Sequence, residues 1–377
     1  MTLAPQDRLD DLALLEAGDP GGVLRQVASA AAQVRTLARV TAGVDLGPVL
    51  SAGRPRSIVV AGMGGSGMAG EVLAAVCGPG AAVPVVNQHD YRLPGWIGAA
   101  DLVIAVSCSG QTEETLSATE EAVRRGCPLL AVGRAGSALA MIAEQARAPF
   151  VPVEPVGMPR VMLWSLAVPL MIVADRLGVA DIPAAGLEAA AADLERVSHL
   201  CRPDSESFVN PAKTLALELA GTLPMIWGSS ALTGVAATRF GGQLNENAKY
   251  PAVTGVLPEA NHNQVVVFDG PFAPWPAGGQ VVLDEEKDPR PPVPLRLVIL
   301  RDGQEHPQVA RRREVSVELA AQRGIEVSEL AADGDTPLQR LASLIQLIDY
   351  ATVYLGIAIG VDPSPIAVIG ELKERIV

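Results

Sequence analysis

Cysteine and lysine are both scarce in this chain, with four of each among 377 residues. Cys77, Cys108, Cys127 and Cys201 are scattered without a CxxC pair, which excludes a zinc ribbon or a disulfide framework. A reducing cytoplasm is therefore the expected compartment, and no metal or other cofactor is expected. Positive charge is short as well: 29 basic against 42 acidic residues give a net charge of −13 at pH 7. That balance argues against nucleic acid or an anionic membrane as partner, and any anionic ligand must be captured by local geometry against the overall field. The opening Met1-Thr-Leu-Ala-Pro-Gln-Asp7 has neither the basic nor the apolar stretch of a secretory signal, so none is expected there. The most apolar segment, residues 161–174, is too short to span a bilayer and carries Ser165 and Pro169; it reads as a buried helix. Apolar residues make up 49% of the chain, and its length suits two domains, each with its own core.

What is present alternates. Apolar runs at 57–61, 83–86, 102–106 and 128–132 read as strands, with helical patterns over 68–76, up to about 125, and over 137–145. Strands alternating with helices predict a parallel sheet covered on both faces. An Ala-rich helix over 184–194 and the polar Pro203-Asp-Ser-Glu-Ser207 lead into a second half that starts over. It reads as a helix opened by Asn210-Pro211, a strand at 224–227, the turn Gly228-Ser-Ser230, a helix to about Lys249, strands at 265–268 and 295–300, and a helix over 308–323. A helix over 338–356 and a short one after Asp362-Pro363 end the chain, and Pro and Gly crowd a long surface loop between 270 and 294. The fold class is α/β, with two doubly wound parallel-sheet domains in tandem: residues 1–200, including an N-terminal helical extension, and residues 201–377, including the C-terminal helices.

Two loops carry the chemistry of the first half. Ser107-Cys-Ser109-Gly-Gln-Thr112-Glu-Glu-Thr115 follows a strand and opens a helix, so backbone N–H groups and several hydroxyls converge at a helix N-terminus, an oxyanion site. It contains no lysine or arginine, which favours a small phosphorylated metabolite held by directed hydrogen bonds. Gly62-Met-Gly64-Gly65-Ser66-Gly67 matches the dinucleotide pattern GxGxxG after a strand, but the second strand ends in Asn87-Gln88-His89, with Asp90 one turn late. Glycines that let a helix pack closely on a strand explain the same letters. In the second half, Glu246 lies in Asn245-Glu246-Asn247-Ala-Lys249 and His262 in Glu259-Ala-Asn261-His262-Asn263, a carboxylate and an imidazole suited to general acid–base work. For a helix-ending glutamate flanked by asparagines, a solvated surface is the more ordinary reading. Arg160, in Gly157-Met-Pro159-Arg160, precedes a helix, where the dipole disfavours a cation, and this points to an anionic partner. Lys373, between glutamates on the terminal helix, reads from pattern alone as a solvated face.

Taken in their order along the chain, the five motifs resemble sugar isomerase (SIS) domain proteins, and within them the bifunctional phosphoglucose/phosphomannose isomerases, from about Ser57 to Val377. The resemblance implies two SIS domains per subunit, a homodimer, and an active site between domains completed by a histidine, here His262, from the neighbouring subunit. It implies that Gly65, Ser66, Ser107, Ser109 and Thr112 hold a sugar phosphate, that Arg160 stabilises an enediolate, that Glu246 moves the proton between C1 and C2, and that His262 with Lys373 opens the ring. The implied reaction interconverts glucose 6-phosphate, and mannose 6-phosphate with it, with fructose 6-phosphate, without metal. Three residues depart from the family's pattern: Cys108 stands where an aromatic is common, Gln111 where asparagine is, and Gln264 where glutamate is, which removes a carboxylate near His262. Two other readings stay open. A noncatalytic sensor of phosphosugars needs Ser66, Ser107, Ser109 and Thr112 but neither Glu246 nor His262, and a nicotinamide-dependent oxidoreductase needs an acidic ribose ligand after the second strand.

Overall fold

The computed structural model describes residues 4–274 and 293–376. The Pro/Gly-rich surface loop expected over 270–294 falls, apart from its ends, outside the described residues, as does Lys287. The chain divides into two compact units, one formed by residues 28–195 with 335–342, the other by 1–27, 196–334 and 343–377.

In the first unit, β1 (Ile58–Ala61), β2 (Val85–Gln88), β3 (Leu102–Ser107), β4 (Leu129–Gly133) and β5 (Phe150–Pro152) form one sheet in the order β2-β1-β3-β4-β5. Every pairing is parallel, with Ile58 opposite both Val85 and Leu102. β1, β3 and β4 are buried along their whole length, which is why they read as unbroken runs of Val, Ile, Leu and Ala rather than as alternating patterns. Val59, Val103, Ala118, Leu129 and Leu139 belong to one core cluster of this unit. The helix Gly64–Cys77 packs on the helix Leu163–Arg176, which packs in turn on Ala30–Ala42. The expected buried helix at 161–174 is this second one; nearly all of its residues are buried, Pro169 included.

The second unit repeats the plan with β6 (Leu223–Gly228), β7 (Val253–Val256), β8 (Leu295–Arg301) and β9 (Glu326–Ala331), all parallel in the order β7-β6-β8-β9. The strand order of the first four strands is thus the same in both sheets, and the α/β, doubly wound class stands. Trp227 and Phe268 stack at 5.6 Å within a core that includes Met225, Leu297, Ile299 and Ala320. One strand expectation fails. The run at 265–268 is part of a 3-10 turn, Gln264–Asp269, whose leading Gln264 side chain accepts a hydrogen bond from Trp227 Nε1 at 2.6 Å and donates to Thr254 O at 3.0 Å. With its first residue fastened to β6 and β7 in this way, the segment coils over the sheet and covers Trp227 with Phe268.

Buried polar contacts explain why chain ends join distant elements. Lys213, 1% exposed, donates from Nζ to Leu9 O at 2.6 Å and Pro203 O at 2.9 Å, while Asp10 accepts from Ser207 N and Oγ, and Gln346 donates to Val27 O. Residues 1–27 are thereby tied into the second unit. In the first unit, Gln339 Nε2 donates to Asp193 Oδ2 at 2.8 Å. The helix Pro337–Ala358 is the one helix among the described residues long and apolar enough to cross a membrane, yet 94% of its apolar window is buried inside the protein.

Candidate active site

The strand order reverses between β1 and β3, and in open α/β sheets ligands bind outside the carboxyl ends of the strands at such a point. Two loops meet there. Ser66, in the first turn of Gly64–Cys77, accepts a hydrogen bond at Oγ from the backbone N–H of Cys108 at 3.1 Å, so the glycine loop after β1 is fastened to the hydroxyl loop after β3. Ser107 Oγ lies 2.9 Å from Thr112 Oγ1 and 3.4 Å from Ser109 Oγ, and it accepts from Gly110 N at 3.0 Å. Gly110 has φ +66°, and a Cβ there would fall 2.0 Å from Ser137 Oγ, so only glycine closes this turn. Neither helix start is capped by a side chain: Met63 precedes Gly64–Cys77 and Thr112 precedes Glu113–Arg124, both without a side-chain capping bond. Hydroxyls and first-turn N–H groups on both elements suit an oxyanion.

Arg160 adjoins this point. It is 4% exposed, in the short 3-10 turn Pro159–Val161, and a Cβ on Gly65 would come within 3.0 Å of Pro159 O and 3.5 Å of Arg160 Cα. The missing side chain at Gly65 is what lets the arginine turn abut the glycine loop. Buried Gln33 fixes the turn from behind, donating from Nε2 to Val161 O at 2.9 Å and accepting from Ser165 N at 3.2 Å. The first unit therefore gathers Gly65, Ser66, Ser107, Ser109, Thr112 and Arg160. It also brings in His89, just after β2, to which the sequence analysis gave no role: its Nδ1 lies 2.7 Å from Gly62 O and its Nε2 3.3 Å from Glu71 Oε1. The ring fills the space beside Gly67, where a Cβ would meet it at 2.7 Å. A dinucleotide loop needs an acidic residue at the end of β2; Asp90 instead is exposed and turned back on its own chain, accepting from Tyr91 N.

Glu246, His262 and Lys373 belong to the second unit. The helix Ala231–Gln243 does not run on to Lys249 as expected; it gives way to a π-helical turn, Leu244–Ala248, which carries Glu246 half-buried. Such turns recur at functional sites because they re-aim one side chain. Lys249, at φ +54°, closes the turn and donates from Nζ to Glu246 O and Asp362 O, both at 3.0 Å. His262 ends the 3-10 turn Glu259–His262 and is exposed, while its flanking asparagines are anchored: Asn261 Nδ2 donates to Ser316 Oγ at 2.8 Å and Asn263 Nδ2 to Glu259 Oε1 at 3.0 Å. The Gln264 amide uses its donor and its acceptor on Thr254 and Trp227, a pairing that a carboxylate cannot make. Lys373 lies on Ala367–Arg375, a helix with no buried residue. Cys108 is buried within the hydroxyl loop, and burial raises its thiol pKa above the ordinary value.

The switch point of the second sheet, between β6 and β8, is chemically closed. Ser230 caps Ala231–Gln243 through a reciprocal box with Thr233, and His306 Nδ1 caps Pro307–Gln322. Asp302, 4% exposed, accepts from Ser230 Oγ at 2.8 Å and donates its own N–H to Ser229 Oγ. The protein's own carboxylate takes up the Ser230 hydroxyl that an anion would otherwise use.

A bifunctional phosphoglucose/phosphomannose isomerase of Caldicellulosiruptor bescii is 31% identical over 319 residues, spanning 85% of this chain and 89% of that protein. This chain belongs to the bifunctional phosphoglucose/phosphomannose isomerase family. A second family member, from Aquifex aeolicus, is 29% identical over 322 residues, with 85% of this chain and 90% of that one covered. Residues 208–376 match the bacterial phospho-glucose isomerase C-terminal SIS domain. A hypothetical protein of Thermus thermophilus shares the fold, with a TM-score of 0.69 at 17% identity over 98% of this chain and 93% of that one.

Proposed function

We propose that the chain is an aldose–ketose isomerase that interconverts glucose 6-phosphate, and mannose 6-phosphate at the same site, with fructose 6-phosphate. The observation that carries the reading is the contrast between the two switch points: hydroxyl-lined and uncapped in the first sheet, filled by Asp302 and capped in the second. Gly65, Ser66, Ser107, Ser109 and Thr112 hold the phosphate. His262 and Lys373 deliver and remove the protons that open the pyranose ring, a task suited to an imidazole, which can both give and take a proton. Glu246 then takes the C2 proton and returns it at C1. The cis-enediolate formed between these steps is an oxyanion, and Arg160 stabilises it as a fixed charge in a water-poor site. Holding the phosphate end firmly and the C2 configuration loosely lets both epimers react.

The working form is a cytoplasmic homodimer, with His262 contributed across the interface, and the domains correspond to residues 1–200 and 201–377 in the order of the chain. Coupled conversion of fructose 6-phosphate to each aldose phosphate, run beside Glu246→Gln, tests the reading. Turnover by the wild type is expected, with the variant slower by about 10²–10⁴-fold while still binding sugar phosphate. A wild type that binds but never turns over leaves the sensor reading instead. Light scattering that finds only monomer at micromolar concentration refutes the shared histidine.

A further inference from the structure

The π-helical turn that carries Glu246 is fastened to the helix Pro337–Ala358 by a continuous ladder of buried polar groups. Arg239, Gln243 and Asn247 recur every four residues on one face, and each is 5% exposed or less. Arg239 binds Asp349 with both ends of its guanidinium fork, Nε to Oδ1 at 2.9 Å and Nη2 to Oδ2 at 2.6 Å. Gln243 Nε2 donates to the same Asp349 Oδ1 at 3.3 Å. Asn247 Nδ2 completes the ladder, donating to Gln243 Oε1 at 3.3 Å and to Thr352 Oγ1 at 3.0 Å, while Thr352 Oγ1 donates to Asp349 O at 2.8 Å. One turn further on, a Cβ at Gly356 would fall 2.8 Å from Asn247 O, so the two backbones touch there.

A π turn holds one residue more than the α-helix it interrupts, and relaxation to α-helical spacing rotates every side chain beyond it. Asn247, next to Glu246 in sequence, is fully buried and its amide bridges both helices. We propose that Asn247, seated by Thr352 and by the Arg239–Asp349–Gln243 ladder, is a positioning residue that sets the direction of the Glu246 carboxylate. The proposal rests on Glu246 being the proton-transfer base, and its test keeps the two claims apart.

Asn247→Ala and the near-isosteric Thr352→Val are assayed with fructose 6-phosphate, alone and in a Glu246→Gln background, with circular dichroism as the check on folding. Displacing a reacting group by about 1 Å costs up to about 100-fold, so kcat should fall by about 10–100-fold while KM stays within about threefold of the wild type. The pH limb of kcat that reports the base should shift with it, which a loss of folded protein alone would not produce. In the Glu246→Gln background either substitution should change the residual rate by less than about twofold, because the group being positioned is already lost. Wild-type kcat in both variants, or an equal loss in the Glu246→Gln background, overturns the positioning role while leaving the base intact. Wild-type turnover in Glu246→Gln alone overturns the base assignment and the positioning role with it. If Asn247→Ala does not fold, Thr352→Val, which exchanges one hydroxyl for a methyl of similar size, decides the matter.

Discussion

Replacing Gly110 with alanine should disable the phosphate end of the site for reasons that separate cleanly. An alanine Cβ would lie 2.0 Å from Ser137 Oγ and 2.3 Å from Ser137 Cβ, at a backbone φ of +66°. The left-handed conformation costs a non-glycine residue about 1–2 kcal/mol, and the forced overlap adds about 1–3 kcal/mol. The unit containing the first sheet should therefore lose about 2–5 kcal/mol, or the loop should shift to escape the clash. A shift moves the Ser107 hydroxyl, to which Gly110 N–H donates, and with it the contacts to Thr112 and Ser109. Losing one hydrogen bond to a charged phosphate is worth about 1.5–3 kcal/mol, so KM for fructose 6-phosphate should rise by about 10–100-fold. Ser137→Gly removes both clashing atoms and, at the N-cap of Ala138–Gln145, costs only about 0.3 kcal/mol. Combined with Gly110→Ala it should leave only the φ cost and restore most of the lost affinity. Urea unfolding and initial-rate kinetics on the four proteins of this cycle measure both quantities. A Gly110→Ala enzyme with wild-type KM and stability, or a double variant no better than the single one, refutes the reasoning.

Two further outcomes follow from buried groups. Asp101 is held below its ordinary pKa of 3.8, chiefly by the Arg56 guanidinium and also by Gly98 N–H and the Ser57 hydroxyl. A depressed carboxylate lends stability that is full above the ordinary value and is lost as pH falls through the lowered one. Asp101→Asn should therefore flatten the decline of the thermal midpoint below about pH 4, and a variant that keeps the wild-type acid slope argues against this. Burial raises the thiol of Cys108, lifts Cys77 to about 11 and Cys201 to about 12, so the native protein at pH 7 should resist iodoacetamide and keep its activity. Mass spectrometry should find four alkylated cysteines only after unfolding; rapid native modification of Cys108 would contradict its burial in the hydroxyl loop.

The central strands were legible because a parallel strand covered on both faces is written as an unbroken apolar run, as in β1, β3 and β4. Of the edge strands only β2 was legible, in the run at 83–86. β9, Glu-Val-Ser-Glu-Leu-Ala, is half polar, β7 is four residues with a glycine inside it, and β5 has three residues, so none carries a periodic signal. The run at 265–268 carries a strong β signal, but the Gln264 side chain, acting across 37 residues to Trp227, overrides it. The oxyanion loops were legible since N-cap residues after a strand are local chemistry. The π turn under Glu246 was not, because what sustains it is Asp349 and Thr352, more than a hundred residues away. His89 was passed over for a similar reason: only the fold carries it onto the glycine loop.

The interleaved units bear on how the chain comes into being. The unit with the second sheet draws on residues 1–27 as well as 343–377, and the unit with the first sheet is complete only with residues 335–342. At ribosomal rates of about 5–20 residues per second, synthesis of the whole chain takes roughly 20–75 s, and neither unit has all its parts until close to the end. The earliest helices must wait, apolar faces unburied, for Lys213, Pro203 and finally Gln346 to emerge. A nascent chain of this kind carries exposed apolar surface for most of its synthesis.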